Sequence, residues 1–81
     1  MRDEKLQAAW HKLADYYRRL AADRADEGTG IQLACLVLAE YCVFEWSGDH
    51  GGPTLEMATL AENTVGESLT EKIDAELAKA S

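Results

Sequence analysis

The most apolar stretch of the chain is IQLACLVLAEYCVFEW at residues 31–46, where only Gln32, Glu40 and Glu45 are plainly polar. As a helix it would be roughly 24 Å long, which is short for a membrane span of about 20 apolar residues, and it carries charge. A helix that is apolar nearly all round must be covered on several sides. The pattern therefore predicts a central core helix over about residues 30–47, with the rest of the chain as its covering.

The N-terminal segment has the pattern of an amphipathic helix. Apolar side chains recur there at spacings of four and three residues, at Leu6, Trp10, Leu13, Tyr17 and Leu20. This period predicts a helix over residues 3–26.

A short glycine-containing connection joins this helix to the apolar one. Gly28 suits a left-handed cap at the end of the first helix, and residues 29–32 fit a capping box in which Thr29 opens the second. The short connection predicts an antiparallel pair that brings Trp10 towards Phe44 and Trp46. We expect both tryptophans to be buried.

The C-terminal third reads as helix after the loop SGDHGGP at residues 47–53, with a start at Thr54 or the preceding Gly-Pro step. Its apolar positions form two groups whose faces lie roughly 150° apart on one continuous helix. The groups are Met57, Leu60, Ala61, Thr64 and Val65, then Leu69, Ile73 and Leu77. Gly66 is the expected breakpoint, which gives helices over 54–65 and 67–80. A continuous helix is the alternative and would leave Met57 and Leu60 exposed.

These patterns define the expected fold class. It is all-α, a small bundle of three to four helices around the central apolar helix, in one domain over residues 1–81.

Charge is distributed unevenly along the 81 residues, which carry 15 acidic and 8 basic side chains and a net charge of −7. Residues 1–24 have a net charge of +2 and residues 25–81 a net charge of −9, with no Lys or Arg between Arg24 and Lys72. An acidic chain lacks the basic face that nucleic acid or an anionic membrane requires. We therefore expect neither direct nucleic-acid nor membrane binding. The charged N-terminus does not resemble a signal peptide, so a cytoplasmic location is expected.

Candidate catalytic groups are few. Asp49 and His50 lie in the glycine-rich loop close to Ser47, a combination that invites comparison with a hydrolase triad. A triad, however, needs a firmly held nucleophile and an oxyanion hole, and neighbours in a flexible loop supply neither. We interpret the pair as part of a polar turn and expect no enzymatic activity.

Metal or cofactor binding is also not expected. The four candidate ligands have none of the close spacings of zinc sites, and they are His11, Cys35, Cys42 and His50. Cys35 and Cys42 are seven residues apart in the apolar helix, about 10 Å along its axis, which is beyond disulfide reach. We expect both to be small buried side chains.

The acidic surface is the remaining candidate for function. Its predicted partner-binding residues are Asp49, Glu56, Glu62, Glu67, Glu71 and Asp74. Carboxylates on one helix face lie about 6 Å apart, close to the spacing of phosphates along a nucleic-acid strand, and would attract a basic groove. A face that only keeps the domain soluble is the alternative.

Known small acidic helical proteins without catalytic residues include phage anti-CRISPR proteins and immunity proteins that block nuclease toxins. By this analogy of class, we expect a stoichiometric inhibitor of a basic protein that handles nucleic acid. The alternative is a homodimeric structural or adaptor protein, because the apolar helix has more apolar faces than three short helices can cover.

Overall fold

The computed structural model describes residues 4–49 and 51–80, and over these residues it confirms a small all-α bundle with four α-helices and no strand. The helices are α1 at Glu4–Asp23, α2 at Thr29–Ser47, α3 at Leu55–Val65 and α4 at Leu69–Ala80, with a 3-10 turn at Ala25–Glu27. Helices α1 and α2 pack along each other, α3 packs on α2, and α4 packs on α1.

Small side chains dominate the packed faces of α1 and α2. The buried residues of α1 are Ala9, Leu13, Ala14, Tyr17 and Ala21, and those of α2 are Ala34, Cys35, Leu38, Ala39 and Cys42. The distance between packed helices depends on the side chains at their contact, so alanines and cysteines let the two backbones approach closely. Cys35 and Cys42 are among this core, as expected.

Contacts near the start of α1 establish that α1 and α2 are antiparallel. The Trp10 ring packs edge-on against Tyr41 with centroids 6.1 Å apart, and His11 lies against Trp46 at 5.1 Å. Gln7 Nε2 donates a 2.9 Å hydrogen bond to the carbonyl oxygen of Trp46.

The expected burial of both tryptophans is wrong. Trp10 is half-buried and Trp46 is 38% exposed. Trp46 is the penultimate residue of α2, where its ring covers His11 at the surface, and large indole rings are rarely enclosed completely.

The α1–α2 connection differs from the predicted capping box. Thr29 is already helical, Gly28 occupies the N-cap of α2, and no side chain caps this helix end.

Helix α1 ends at Asp23, three residues earlier than predicted, and the side chain of Arg24 stabilises the connection that follows. Its guanidinium donates two hydrogen bonds of 2.8 Å to the Glu27 carboxylate and one of 3.0 Å to the carbonyl oxygen of Val65. Arg24 thereby joins the start of the connection to the end of α3.

The loop between α2 and α3 approaches α2 closely at Gly52. A Cβ atom at this position would collide with the ring and Cβ of Phe44, so only glycine fits here without movement of the ring. Two residues later, Thr54 Oγ1 accepts a 3.2 Å hydrogen bond from the backbone N–H of Met57 and caps α3. The predicted start of this helix at Thr54 is confirmed.

The predicted break at Gly66 is also confirmed. Gly66 has a φ of 84°, a left-handed conformation that suits glycine, and it ends α3. Ser68 Oγ then accepts a 3.4 Å hydrogen bond from the backbone N–H of Glu71 and so caps the start of the next helix. Helix α4 therefore begins at Leu69, two residues later than predicted, and Glu67 precedes its cap.

The packing face of α3 was predicted only in part, since Ala61 and Val65 of the predicted group are buried and Met57 and Leu60 are not. Ala58, Ala61 and Val65 are buried against the core, whereas Met57 is 48% exposed and Leu60 is 63% exposed. The two alanines let α3 lie close to α2, and the longer side chains then project away from the contact.

Helix α2 is covered by α1 and α3, and one side of it is left exposed. Leu33 is 56% exposed and Leu36 is 41% exposed. The reason is that α4 packs on α1, so α2 has only α1 and α3 as major helical neighbours. The result is a flat bundle with extents of 39 × 27 × 17 Å.

Candidate functional site

The six carboxylates of the predicted acidic face lie on different parts of the fold, and we take them as three pairs in chain order. The first pair is at the α2–α3 loop, where Asp49 and Glu56 are both exposed. Asp49 Oδ1 accepts a 2.9 Å hydrogen bond from the backbone N–H of Gly51, so it orders its own loop. Glu56 lies in the first turn of α3, where a negative charge stabilises the helix N-terminus.

The second pair, Glu62 and Glu67, is half-buried and holds the α3–α4 corner together. Glu62 Oε2 accepts a 2.7 Å hydrogen bond from the backbone N–H of Leu69. Both side chains line an open depression of about 430 Å³ at this corner. Neither carboxylate is free for a partner in the way that the sequence suggested.

Glu67 forms a polar cluster with residues from α1 and α4. The hydroxyl of Tyr16 donates to the Glu67 carboxylate, with oxygens 3.0 and 3.1 Å away. Lys72 Nζ is 3.5 Å from Glu67 Oε1 and lies 4.8 Å from the centroid of the Tyr16 ring. Burial, followed by the hydrogen bond to Glu67, raises the pKa of Tyr16, so the phenol stays protonated and remains a donor. This cluster attaches α4 to α1.

The third pair, Glu71 and Asp74, is exposed and lies on α4. Because α4 begins after Ser68, Glu67 does not share this helical face as the sequence had indicated. The structure therefore brings Glu71 and Asp74 together on one helix. It directs Glu62 and Glu67 inwards and leaves Asp49 and Glu56 near the start of α3.

A second surface, which the sequence reasoning only partly foresaw, combines apolar side chains with carboxylates. Leu33, Leu36 and Glu40 are exposed on α2 at spacings of three and four residues, so they share one side of this helix. Met57 and Leu60 are exposed on α3. In the sequence, this surface is indicated by the excess of apolar residues on α2. Glu40 was not among the predicted partner-binding residues because it lies within the core helix.

The two cysteines are chemically quiet. Cys35 and Cys42 are free thiols with no exposed surface. Burial raises the pKa of Cys42 to about 12 and also raises the pKa of Cys35. Both thiols are therefore protonated at neutral pH, and the thiolate is the form that attacks electrophiles and binds metals. Across residues 4–49 and 51–80, no three His, Cys, Asp or Glu side chains are grouped to hold a metal ion.

Of the candidate triad, His50 lies outside the described residues. The hydroxyl of Ser47 donates to the carbonyl oxygen of Phe44 at 3.3 Å and accepts from the backbone N–H of Asp49 at 3.3 Å. Ser47 thus helps to terminate α2 and to start the loop.

Helix α2 is long and apolar enough to cross a membrane by length and composition, with a mean hydropathy of 1.2 over its best window. Core helices of soluble proteins can have the same length and hydropathy, so this property alone does not indicate a membrane span.

The fold and these surfaces define a small acidic α-helical bundle whose described surface offers carboxylates and leucines. No model of a known protein family matches the chain, and neither the curated proteins nor the solved structures contain a significant match.

Proposed function

We propose that this protein acts by binding a basic protein partner that handles nucleic acid, and that it blocks this partner stoichiometrically without catalysis. One observation carries the proposal. Helices α2 and α3 carry Glu40, Glu45, Glu56 and Glu62 and no basic residue, and the chain has no Lys or Arg from residue 25 to residue 71.

The structure adds a physical reason why this charge is available to a partner. Of the carboxylates on α2 and α3, Glu40 and Glu56 are exposed and make no ion pair with the described part of the chain. Unpaired exposed carboxylates create a negative field that accelerates association with a positively charged surface.

The proposal is tested by measuring binding to a panel of purified basic nucleases and other nucleic-acid-binding enzymes at increasing salt. We expect one-to-one binding to at least one of them, loss of its activity, and affinity that decreases with salt because exposed charges are screened. Replacement of Glu40 and Glu56 with lysine should weaken binding, whereas Glu4→Lys on the more basic α1 is the matched control. Salt-independent affinity, or no binding across the panel, would contradict the proposal.

We propose a cytoplasmic location for this function. The unpaired thiols of Cys35 and Cys42 support it, since cysteines in oxidising compartments are usually disulfide-bonded.

A homodimeric structural or adaptor protein is the second candidate, and the exposed leucines of α2 and α3 favour it. Contiguous apolar surface is a common feature of subunit interfaces. Light scattering separates the candidates. A mass of one chain at every concentration tested would exclude the dimer, and a mass of two chains would support it.

A further inference from the structure

Six large apolar side chains are exposed on α2 and α3, and we refer to four of them as the α2–α3 row. They are Leu33 (56% exposed), Leu36 (41%), Met57 (48%) and Leu60 (63%). Single exposed leucines are ordinary on protein surfaces, but a group of four on two adjacent helices is a feature of binding sites.

Helical periodicity turns all four side chains away from the buried faces of their helices. On α2, Leu33 and Leu36 lie opposite the buried side chains, such as Leu38 and Cys42. On α3, one flank faces α4, because Glu62 reaches Leu69 there. Met57 and Leu60 lie away from that flank, and so away from α4. Because α2 and α3 are packed neighbours, both pairs are expected to border one shared edge of the bundle.

Carboxylates border this row and no positive charge accompanies them. Glu40 is four residues after Leu36 on the same side of α2, and Glu56 is four residues before Leu60 on α3. Both are exposed and unpaired with any described residue. The nearest basic residues in sequence are Arg24 and Lys72, and both are engaged in ion pairs.

We propose that the α2–α3 row is the docking site for one amphipathic helix of the partner, with apolar side chains on one face and Lys or Arg on its flanks. This inference rests on the proposed function and assigns it a surface. A helix laid along two neighbouring helices would bury its apolar face on the leucines, while its basic flanks meet Glu40 and Glu56. The carboxylate pair on α4 then lies outside the contact.

Charge distinguishes this occupant from a second copy of the same chain. A symmetric contact through the row would bring together two surfaces that each carry Glu40 and Glu56, from helices that have no basic residue. Like charges placed opposite each other across an interface oppose association, whereas a basic helix satisfies both the apolar and the charged groups.

The test uses the full 81-residue chain and a labelled synthetic amphipathic helix. In the probe peptide, leucines recur at spacings of three and four residues and lysines flank them. One control peptide replaces the lysines with glutamates, and another replaces the leucines with serines. We expect the full chain to bind the lysine–leucine peptide at least about tenfold more tightly than either control, as judged by fluorescence anisotropy.

Matched variants locate the contact. Leu60→Glu should weaken peptide binding at least about tenfold, as expected for a central apolar contact, whereas Leu55→Glu should not. Leu55 is 69% exposed on the same helix but lies on a different side of it. Glu40→Lys should weaken binding at low salt, and Asp74→Lys on α4 makes the same charge change as a control. Unchanged thermal unfolding would establish that each variant is folded.

Each result bears on the proposal. Weakening by Leu60→Glu and Glu40→Lys, but not by their controls, supports it. Equal weakening by Asp74→Lys and Glu40→Lys assigns binding to general acidity and overturns the docking site. A stable dimer that Leu60→Glu dissociates, or binding to lipid vesicles in place of the peptide, also overturns it. If a nuclease is inhibited as proposed but Leu60→Glu has no effect on that inhibition, the docking site is wrong and the proposed function stands.

Discussion

Glu62 accepts a 2.7 Å hydrogen bond from the backbone N–H of Leu69, which is the first residue of α4. The four N–H groups at the start of a helix have no partner within the helix, so a carboxylate from α3 satisfies one of them. The bond also lets a negative charge face the positive end of the α4 dipole. Glu62 therefore links two consecutive helices across the Gly66 break.

Glu62→Ala should lower the free energy of unfolding by about 0.5 to 2 kcal/mol, because α4 loses this cap. Chemical denaturation monitored by circular dichroism measures the change. Asp74→Ala is the control, since Asp74 is exposed on α4 and should change the free energy by less than about 0.5 kcal/mol. Equal effects of the two substitutions would contradict the capping role.

Tyr16 and Tyr17 are neighbours, and removal of their hydroxyl groups should have different effects on the free energy of unfolding. The hydroxyl of Tyr17 is fully buried and has no hydrogen-bond partner in the described structure, whereas that of Tyr16 bonds to Glu67. An unsatisfied buried polar group costs about 1 to 3 kcal/mol. Tyr17→Phe should therefore leave the free energy of unfolding unchanged or raise it, and Tyr16→Phe should lower it. Urea titration of both variants tests this, and a marked loss in Tyr17→Phe would mean that its hydroxyl has a partner.

Glu27 should give the protein a stability contribution that depends on pH. The hydrogen bonds from Arg24 lower the pKa of Glu27 below its usual value. A carboxyl whose pKa is depressed on folding stabilises the protein above its unfolded pKa of about 4.3, and this contribution disappears as the pH falls through the folded pKa. The stability difference between the natural protein and Glu27→Gln should be largest at neutral pH and should shrink below about pH 4. Unfolding curves at several pH values test this; a difference that grows on acidification would contradict it.

Leu38 and Leu33 lie on the same helix, and a comparison of their alanine variants tests whether one side of α2 is exposed. Leu38 is 0% exposed and Leu33 is 56% exposed. Leu38→Ala should lower the free energy of unfolding by about 2 to 5 kcal/mol, because it leaves a cavity in the core. Leu33→Ala should cost less than about 1 kcal/mol, since its side chain already contacts water. Thermal and urea unfolding of both variants measure the difference. Similar losses would mean that Leu33 is covered, for example by a second copy of the chain.

The secondary structure followed closely from local sequence signals. Apolar spacing identified α1, continuous hydrophobicity identified α2, and Gly66 marked the break between α3 and α4. These features act within one or two helical turns, so a single sequence reveals them. The prediction of a capping box at Thr29 was wrong, because Gly28 takes the N-cap position and Thr29 is already the first residue of α2.

The candidate site was harder to foresee because it depends on which helices meet. The sequence cannot show that α4 packs on α1, and this choice leaves Leu33 and Leu36 uncovered. Likewise, nothing local distinguishes Glu62, which caps α4, from Glu56, which is exposed. Helix α3 packs through its alanines, whereas the pattern of apolar residues had indicated a face that included the larger side chains of Met57 and Leu60.

The close approach of Gly52 to Phe44 has a consequence for how the protein can vary. Any side chain at residue 52 would displace the Phe44 ring or tilt the backbone that leads into α3. Such a tilt would shift Leu60 relative to Leu33 while each helix stays intact. Residue 52 is therefore a position at which one added methyl group, with no change of charge, would alter the spacing between Leu60 and Leu33.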